Sequence, residues 1–183
     1  MNTTNGKIAE QSKKMLVNSL LTLMKQYDFH EITVTQIAQE ADLSRKTYYR
    51  LFSDKQSLLL YLLEEKSITL LENVEKAGIH HYWDLVQMFF DFWTKERELL
   101  SLLKKHQLLY LLHQASYQHS LRFFCAIRST ETAAEFQDNL PYLLAYSIGG
   151  IHSMLLQWIE DDMKSDPKDF IETLHRGFQS ADI

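Results

Sequence analysis

The sequence predicts an all-α protein, and three observations carry that reading. Its 183 residues include only 5 Gly and 2 Pro, which leaves few sites for the tight turns that strands need. Apolar residues recur at three- and four-residue steps along most of the chain, the spacing that places them on one side of a helix. Strict apolar/polar alternation nowhere persists beyond a few residues. At this length, with 45% apolar residues, the chain can bury about 70% of its unfolded surface, enough for one compact unit or two small ones sharing a core.

Composition also removes several functional classes. The single cysteine, Cys125, cannot form an internal bridge, and no charged start leads into an apolar run and a cleavage site. A secreted disulfide scaffold is therefore disfavoured, and a cytoplasmic location is expected. Apolar runs such as 58–63 and 140–144 fall far short of the roughly 20 residues of a membrane span, so no membrane partner is expected. The net charge of −5 is unevenly spread. Residues 1–55 hold eight Lys/Arg against six Asp/Glu, for +2, and the remainder holds eleven against eighteen, for −7. A mildly basic segment thus precedes an acidic one that a polyanion would repel.

The elements follow in order. Ile8, Met15, Leu16, Leu20, Leu23, Met24 and Tyr27 form the apolar stripe of a first helix, with Lys13, Lys14 and Lys25 off it. Thr33 with Gln36 three residues on has the form of a capping box, and so does Ser53 with Gln56; Ser44 can cap the segment between them. These signals predict helices over 34–41, 45–51 and 54 to about 76, the last ended by Gly78. Aromatics and histidines dominate from Tyr82 onward, at helical spacing, with breaks predicted near Glu96, Ser116 and Thr130. Between residues 141 and 162, Leu144, Ile148, Ile151, Leu155 and Trp158 lie four and three apart, the seam of a helix packed on another helix. Gly149 and Gly150 cost that helix about 1 kcal/mol each relative to Ala, a loss that close approach of another helix or room for a ligand would offset. A last helix starts at Pro167 and carries Phe170, Ile171, Leu174 and Phe178 on one face. There is no internal repeat.

The stretch from Gln36 to Phe52, QIAQEADLSRKTYYRLF, bears the chemistry. It reads as a helix, a turn of about three residues around Asp42 and Leu43, and a second helix opening with cations and hydroxyls. That is the layout of a helix-turn-helix, whose second helix enters the major groove with its first residues toward base edges. Arg45 and Lys46 stand where such a helix needs donors, since Arg can pair with both guanine O6 and N7. Thr47, Tyr49 and Lys55 are placed to hold the DNA backbone. Arg50 divides between a phosphate contact and an exposed ion pair.

Here the sequence resembles the TetR family of transcriptional regulators, from about Lys13 to Leu63. The positions that carry the likeness are Ile32-Thr33-Val34, Ile37-Ala38, Leu43-Ser44, Thr47-Tyr48-Tyr49-Arg50, Phe52, Lys55 and Leu58-Leu59. The resemblance implies Thr33, Thr35, Thr47, Tyr49 and Lys55 near phosphates, Arg45 and Lys46 near bases, and Tyr48 mostly in the core of the small domain. It departs at Asp42, where the family usually has Gly; Asp tolerates a left-handed conformation better than most residues, but its charge points toward a polyanion. The resemblance further implies a DNA-binding domain over 1–55, a connecting helix over 54–76, and a helical domain over 77–183 that binds a small-molecule effector and pairs two subunits. The segment from Pro141 to Leu174 looks like the two closing helices of one subgroup of these regulators. It implies a four-helix dimer bundle built from Leu144, Ile148, Ile151, Leu155, Trp158, Phe170, Leu174 and Phe178. Polar-tipped residues on apolar faces, namely His106, Tyr110, His113, Tyr117, Tyr146 and His152, with Trp93 and Phe124 as walls, are the candidates for a pocket.

The function expected is that of a homodimeric repressor released from a palindromic double-stranded operator by its effector, and two rival functions stand beside it. Catalysis finds little support. Glu172 and His175 have the spacing of a di-iron motif, but no second copy exists, and the other histidines lack tight one-face spacing. No phosphate loop or nucleophile elbow is visible, and no cofactor or metal is expected. The other alternative is a DNA-bound coactivator or a protein-interaction module without a small-molecule ligand.

Overall fold

The computed structural model describes residues 3–127 and 136–180, so the break expected near Thr130 lies outside the described residues. Among the described residues there are ten α-helices and no strand. They are α1 (Thr3–Gln26), α2 (Val34–Glu40), α3 (Arg45–Leu51), α4 (Lys55–Ala77), α5 (Tyr82–Thr94), α6 (Arg97–Lys105), α7 (Tyr110–Tyr117), α8 (Ser120–Ile127), α9 (Leu140–Glu160) and α10 (Pro167–Ser180). The chain divides into two compact units, Met1–Glu64 and Glu65–Ile183. Helix α4 runs through the division.

In the N-terminal unit the predicted stripe of α1 is the core. Leu16, Leu20 and Met24 are sealed from solvent together with Ile37 of α2, Tyr48 of α3, and Leu58 and Leu63 of α4. Each such side chain contributes about 1.5–3 kcal/mol through the apolar surface it removes from water. Ile8, Met15 and Tyr27, at the margins of the stripe, stay exposed. The Tyr61 hydroxyl donates to Glu10 Oε2 at 3.1 Å and ties α4 to α1, while the Lys13 ammonium holds the Glu10 carboxyl below its ordinary pKa.

Of the three helix starts predicted from capping residues, two are capped as expected and one is shifted. Gln36 N–H donates to Thr33 Oγ1 at 3.2 Å and Thr33 N–H donates to Gln36 Oε1 at 2.8 Å, a complete capping box. At α4 the expected Ser53/Gln56 box is replaced by one shifted a residue on. Ser57 N–H donates to Asp54 Oδ1 at 2.7 Å, and Asp54 N–H donates to Ser57 Oγ at 3.2 Å. A carboxylate accepts such bonds more strongly than a hydroxyl, so Asp54 wins.

Helix ends are less orthodox. Gly78 closes α4 at φ +62°, as its sequence position predicts. Three other helices end without glycine: Asp42, Gln107 and Asp162 are left-handed, at φ 53°, 59° and 57°. In each case the next residue reaches back five positions, with Leu43 N–H to the Ala38 carbonyl, Leu108 to Leu103 and Met163 to Trp158, all at 2.8 Å. These are Schellman closures, in which carbonyls left open at a helix end find donors.

The C-terminal unit packs α5, α6, α7, α9 and α10 around Phe90, Trp93, Leu100, Leu103, Leu111 and Leu155. The Phe90 ring stands edge-on to Trp158, with centroids 5.8 Å apart, and to Phe170, at 5.0 Å. Lys104 stitches α6 to the end of α9: its ammonium donates to the carbonyls of Ile159 and Glu160 at 3.0 Å and to Asp162 Oδ1 at 3.1 Å. The bond to Asp162 holds the Lys104 pKa above its ordinary value. Of the residues expected at a dimer seam, Ile151, Leu155 and Trp158 are buried within their own chain, Leu144, Ile148, Phe170 and Leu174 are half-buried, and Phe178 is exposed. The outward face of α9 carries Tyr142 and Tyr146, 77% and 74% exposed, with Gly150 and Ser153.

Candidate nucleic-acid interface

The α2–turn–α3 segment is fixed at both ends by its own side chains. Asp42 turns the chain in the left-handed region, which Asp enters at lower cost than most residues because its short side chain can bond locally. Ser44 then caps α3, its hydroxyl accepting the Thr47 N–H at 3.0 Å. Inward, α3 presents Tyr48, which is completely buried, and ends at the buried ring of Phe52, 6.0 Å away between centroids. This anchor leaves Arg45, Lys46, Tyr49 and Arg50 on the exposed side.

That side is cationic and free. No carboxylate among the described residues pairs with Arg45, Lys46 or Arg50. The Arg45 guanidinium lies 5.9 Å from the centre of the Tyr49 ring, which is 52% exposed. A guanidinium resting on a ring keeps its five donors available at the edge, where a base or phosphate can meet them. The acids close by in sequence are Glu40 and Asp42 at the turn end of the surface and Asp54 beyond its other end, where it caps α4.

The other expected contacts divide. Thr47 is half-buried, its Oγ1 3.0 Å from Ser44 Oγ, and Thr35 is half-buried in the first turn of α2. Thr33 is exposed, but its hydroxyl serves the capping box. Tyr48, included among the DNA-contact candidates but read as mostly core, lies in the core, and Lys55 departs from its expected place. Tyr48 cannot face DNA, because its ring fills the core; burial drives its phenol pKa far up, and its hydroxyl has no hydrogen-bond partner. Lys55 does not present its ammonium to a phosphate. Its Nζ donates to the carbonyls of Phe29, His30 and Ile32 at 2.5, 2.8 and 2.8 Å, and an ammonium has three donors. Lys55 thereby ties the start of α4 to the loop between α1 and α2.

The C-terminal unit contains a cavity of about 280 Å³. Its floor is formed by Phe89, Ser116, Ile151 and His152, all buried, and its mouth by His80, His81 and Tyr82, all exposed. Of the eight pocket candidates, only Phe124 and His152 line it. Trp93 and His106 are core residues; Tyr110, Tyr117 and Tyr146 are exposed, and His113 touches the cavity only through the His152 ring, 5.4 Å away. Leu144, Ile148 and Ile151, expected at a dimer seam, line the cavity. Sequence reasoning missed Ser116, Ser120 and Ser147 as lining residues. Periodicity does signal the inward face of α9, but it cannot distinguish an opposing helix from a hollow.

Burial first, and the neighbouring His113 second, push the His152 imidazole down to about 4, so it is neutral at pH 7. Among the described residues no group of three His, Cys, Asp or Glu could hold a metal ion, and no helix is long and apolar enough to cross a membrane.

Comparison with known proteins agrees with the geometry of α2 and α3. A solved structure described as the fatty acid degradation regulator FadR from Bacillus halodurans shares the fold, with a TM-score of 0.63 at 14% identity over 93% of this chain and 95% of that one. A second, the dihydroxyacetone kinase operon activator DhaS, aligns with a TM-score of 0.40 at 16% identity over 81% of this chain and 96% of that one. No curated protein matches the sequence significantly. Residues 16–62, which span most of α1, all of α2 and α3 and the start of α4, match the family of bacterial regulatory proteins, tetR family. A capped helix α3 with a free cationic face lies inside that match, so the segment 16–62 is similar in sequence to the DNA-binding part of the bacterial regulatory proteins of the tetR family and carries the helix-turn-helix geometry.

Proposed function

We propose that the protein is a cytoplasmic, non-enzymatic homodimeric repressor that holds a palindromic operator through α2 and α3 and leaves it when a small molecule fills the C-terminal cavity. The observation that carries this reading is the exposed face of α3, where Arg45, Lys46 and Arg50 have no acidic partner among the described residues. A cation left unpaired beside a turn of fixed geometry is placed for base edges and phosphates. Two copies would set their recognition helices in successive major grooves about 34 Å apart.

The outward face of α9 supports pairing. Tyr142 and Tyr146 stand in solvent, and a Cβ added at Gly149 or Gly150 would meet nothing within 4 Å in the single chain. Large aromatics beside small residues on one helix face suit close approach of a second helix. Effector and operator then compete through linkage: whatever factor the ligand takes from DNA affinity, DNA takes from ligand affinity.

The test is fluorescence anisotropy on DNA upstream of the protein's own gene across a salt series. A palindromic site should bind with an affinity that falls steeply as salt rises, because each neutralised phosphate releases counterions. Absence of any salt-sensitive binding would overturn the reading.

A further inference from the structure

The chemistry of the cavity narrows what can occupy it, given the reading of the C-terminal unit as an effector-binding domain. Its volume of about 280 Å³ gives room for a small organic molecule. The wall is apolar, formed by Leu85, Phe89, Phe124, Leu144, Ile148 and Ile151. Among the described residues no Asp, Glu, Lys or Arg lines it. An ionised ligand would therefore lose its hydration without gaining a counter-charge.

One polar atom at the floor lacks a partner. His152 is 3% exposed, lines the cavity, and its Nε2 is buried with no hydrogen bond. The rings of Phe89, 5.6 Å away, and His113, 5.4 Å away, flank it without offering Nε2 a hydrogen bond. The nearby Ser116 hydroxyl is different, since it lies 3.4 Å from the Ser67 hydroxyl. A neutral imidazole nitrogen is a donor or an acceptor according to tautomer, and a hydroxyl is both, so a hydroxyl satisfies Nε2 either way. A carbonyl serves only one of the two cases.

We infer that the cavity takes an uncharged, largely apolar molecule carrying one hydroxyl, seated with that hydroxyl on His152 Nε2. The imidazole ranks the ligands, and the apolar wall supplies the affinity common to them.

Calorimetric titration of the full chain without DNA, using 4-propylphenol, propylbenzene and 4-propylbenzoate, tests this. The phenol should bind about fivefold or more tighter than propylbenzene, since the hydrocarbon leaves Nε2 unsatisfied. It should bind about tenfold or more tighter than the benzoate, which must shed its charge or its water. In His152→Phe the advantage of the phenol over propylbenzene should shrink to less than about twofold while propylbenzene still binds. Tightest binding by the benzoate, equal binding of phenol and hydrocarbon, an advantage that survives His152→Phe, or no saturable binding by any of the three would overturn the assignment. The ranking on the unaltered chain decides the matter if the variant does not fold. Ligand failure with intact, salt-sensitive DNA binding would remove this assignment alone, whereas phenol binding that leaves DNA affinity unchanged would remove effector-driven release and leave the assignment standing.

Discussion

Protonation of His152 is the perturbation whose size the structure fixes most directly. Its folded-state pKa is about 4 because the ring is buried and faces His113, against 6.5 for an ordinary histidine. Above pH 6.5 both folded and unfolded chains hold the ring neutral, and stability is at its full value. As pH falls from 6.5 toward 4, the unfolded chain takes up the proton while the folded chain resists it, so stability is lost across that window and the loss levels off below 4. At about 1.36 kcal/mol per pKa unit, the folded state forfeits about 3 kcal/mol. The assay is urea unfolding of the ligand-free chain at fixed protein concentration over a pH series, beside His152→Gln, which cannot titrate. The wild-type curve should fall by about 3 kcal/mol more than the variant's between neutral pH and the bottom of the window. Every side chain other than that of residue 152 is common to the two proteins, so their difference isolates the imidazole. His113→Gln should narrow the difference, since it removes the second of the two causes. Parallel curves for wild type and His152→Gln would refute the assignment of a neutral, buried ring.

Four further outcomes follow from the site. Lys55→Met should destabilise the protein by about 2 kcal/mol, by stripping donors from the carbonyls of Phe29, His30 and Ile32, yet leave the salt slope of DNA binding unchanged; a shallower slope would return the lysine to the phosphates. Asp42→Gly should raise stability by about 1 kcal/mol, by relieving a left-handed φ of 53°, and also tighten DNA binding by removing a negative charge beside α3. Paired thermal melts and anisotropy check both signs. Arg45→Ala should cost about 1–3 kcal/mol at a single matched base pair and relax preference there, whereas equal losses on every sequence would make it a phosphate contact. Tyr146→Glu puts a charge on the outward face of α9, and sedimentation should show weaker self-association at unchanged helical content; an unmoved equilibrium would exclude that face from pairing.

The sequence spoke clearly wherever the signal is local. Thr33, Ser44 and Gly78 mark helix ends because capping depends on one side chain and the amides beside it, and the structure places the ends there. The α1 stripe was legible because a periodic face needs only one partner surface. Reading failed where the outcome depends on what arrives from elsewhere in the chain. A lysine near the start of a helix could reach DNA or a nearby carbonyl, and only the loop at residues 29–32 decides for the carbonyls. The left-handed Gln107 separating α6 from α7 has no glycine to announce it, so that break was not foreseen. The spacing of α9 marks an inward face, but apolar spacing reports burial and not the identity of the neighbour, so it could not show that Leu144, Ile148 and Ile151 line a cavity.

Helix α9 is a wall one helix thick. Leu144, Ile148, Ile151 and His152 look into the hollow, while Tyr142 and Tyr146 on the same stretch look out. A packed interior yields little to compression, so volume added on the inner side has to be answered by movement of the backbone or by rotation about its axis. Gly149 and Gly150 lie on the tyrosine side, one turn on from Tyr146, where an added Cβ would meet nothing within 4 Å to resist such movement. If the proposed effector fills the hollow, the helix would carry its bulk outward, and the positions of the two tyrosines would report on occupancy.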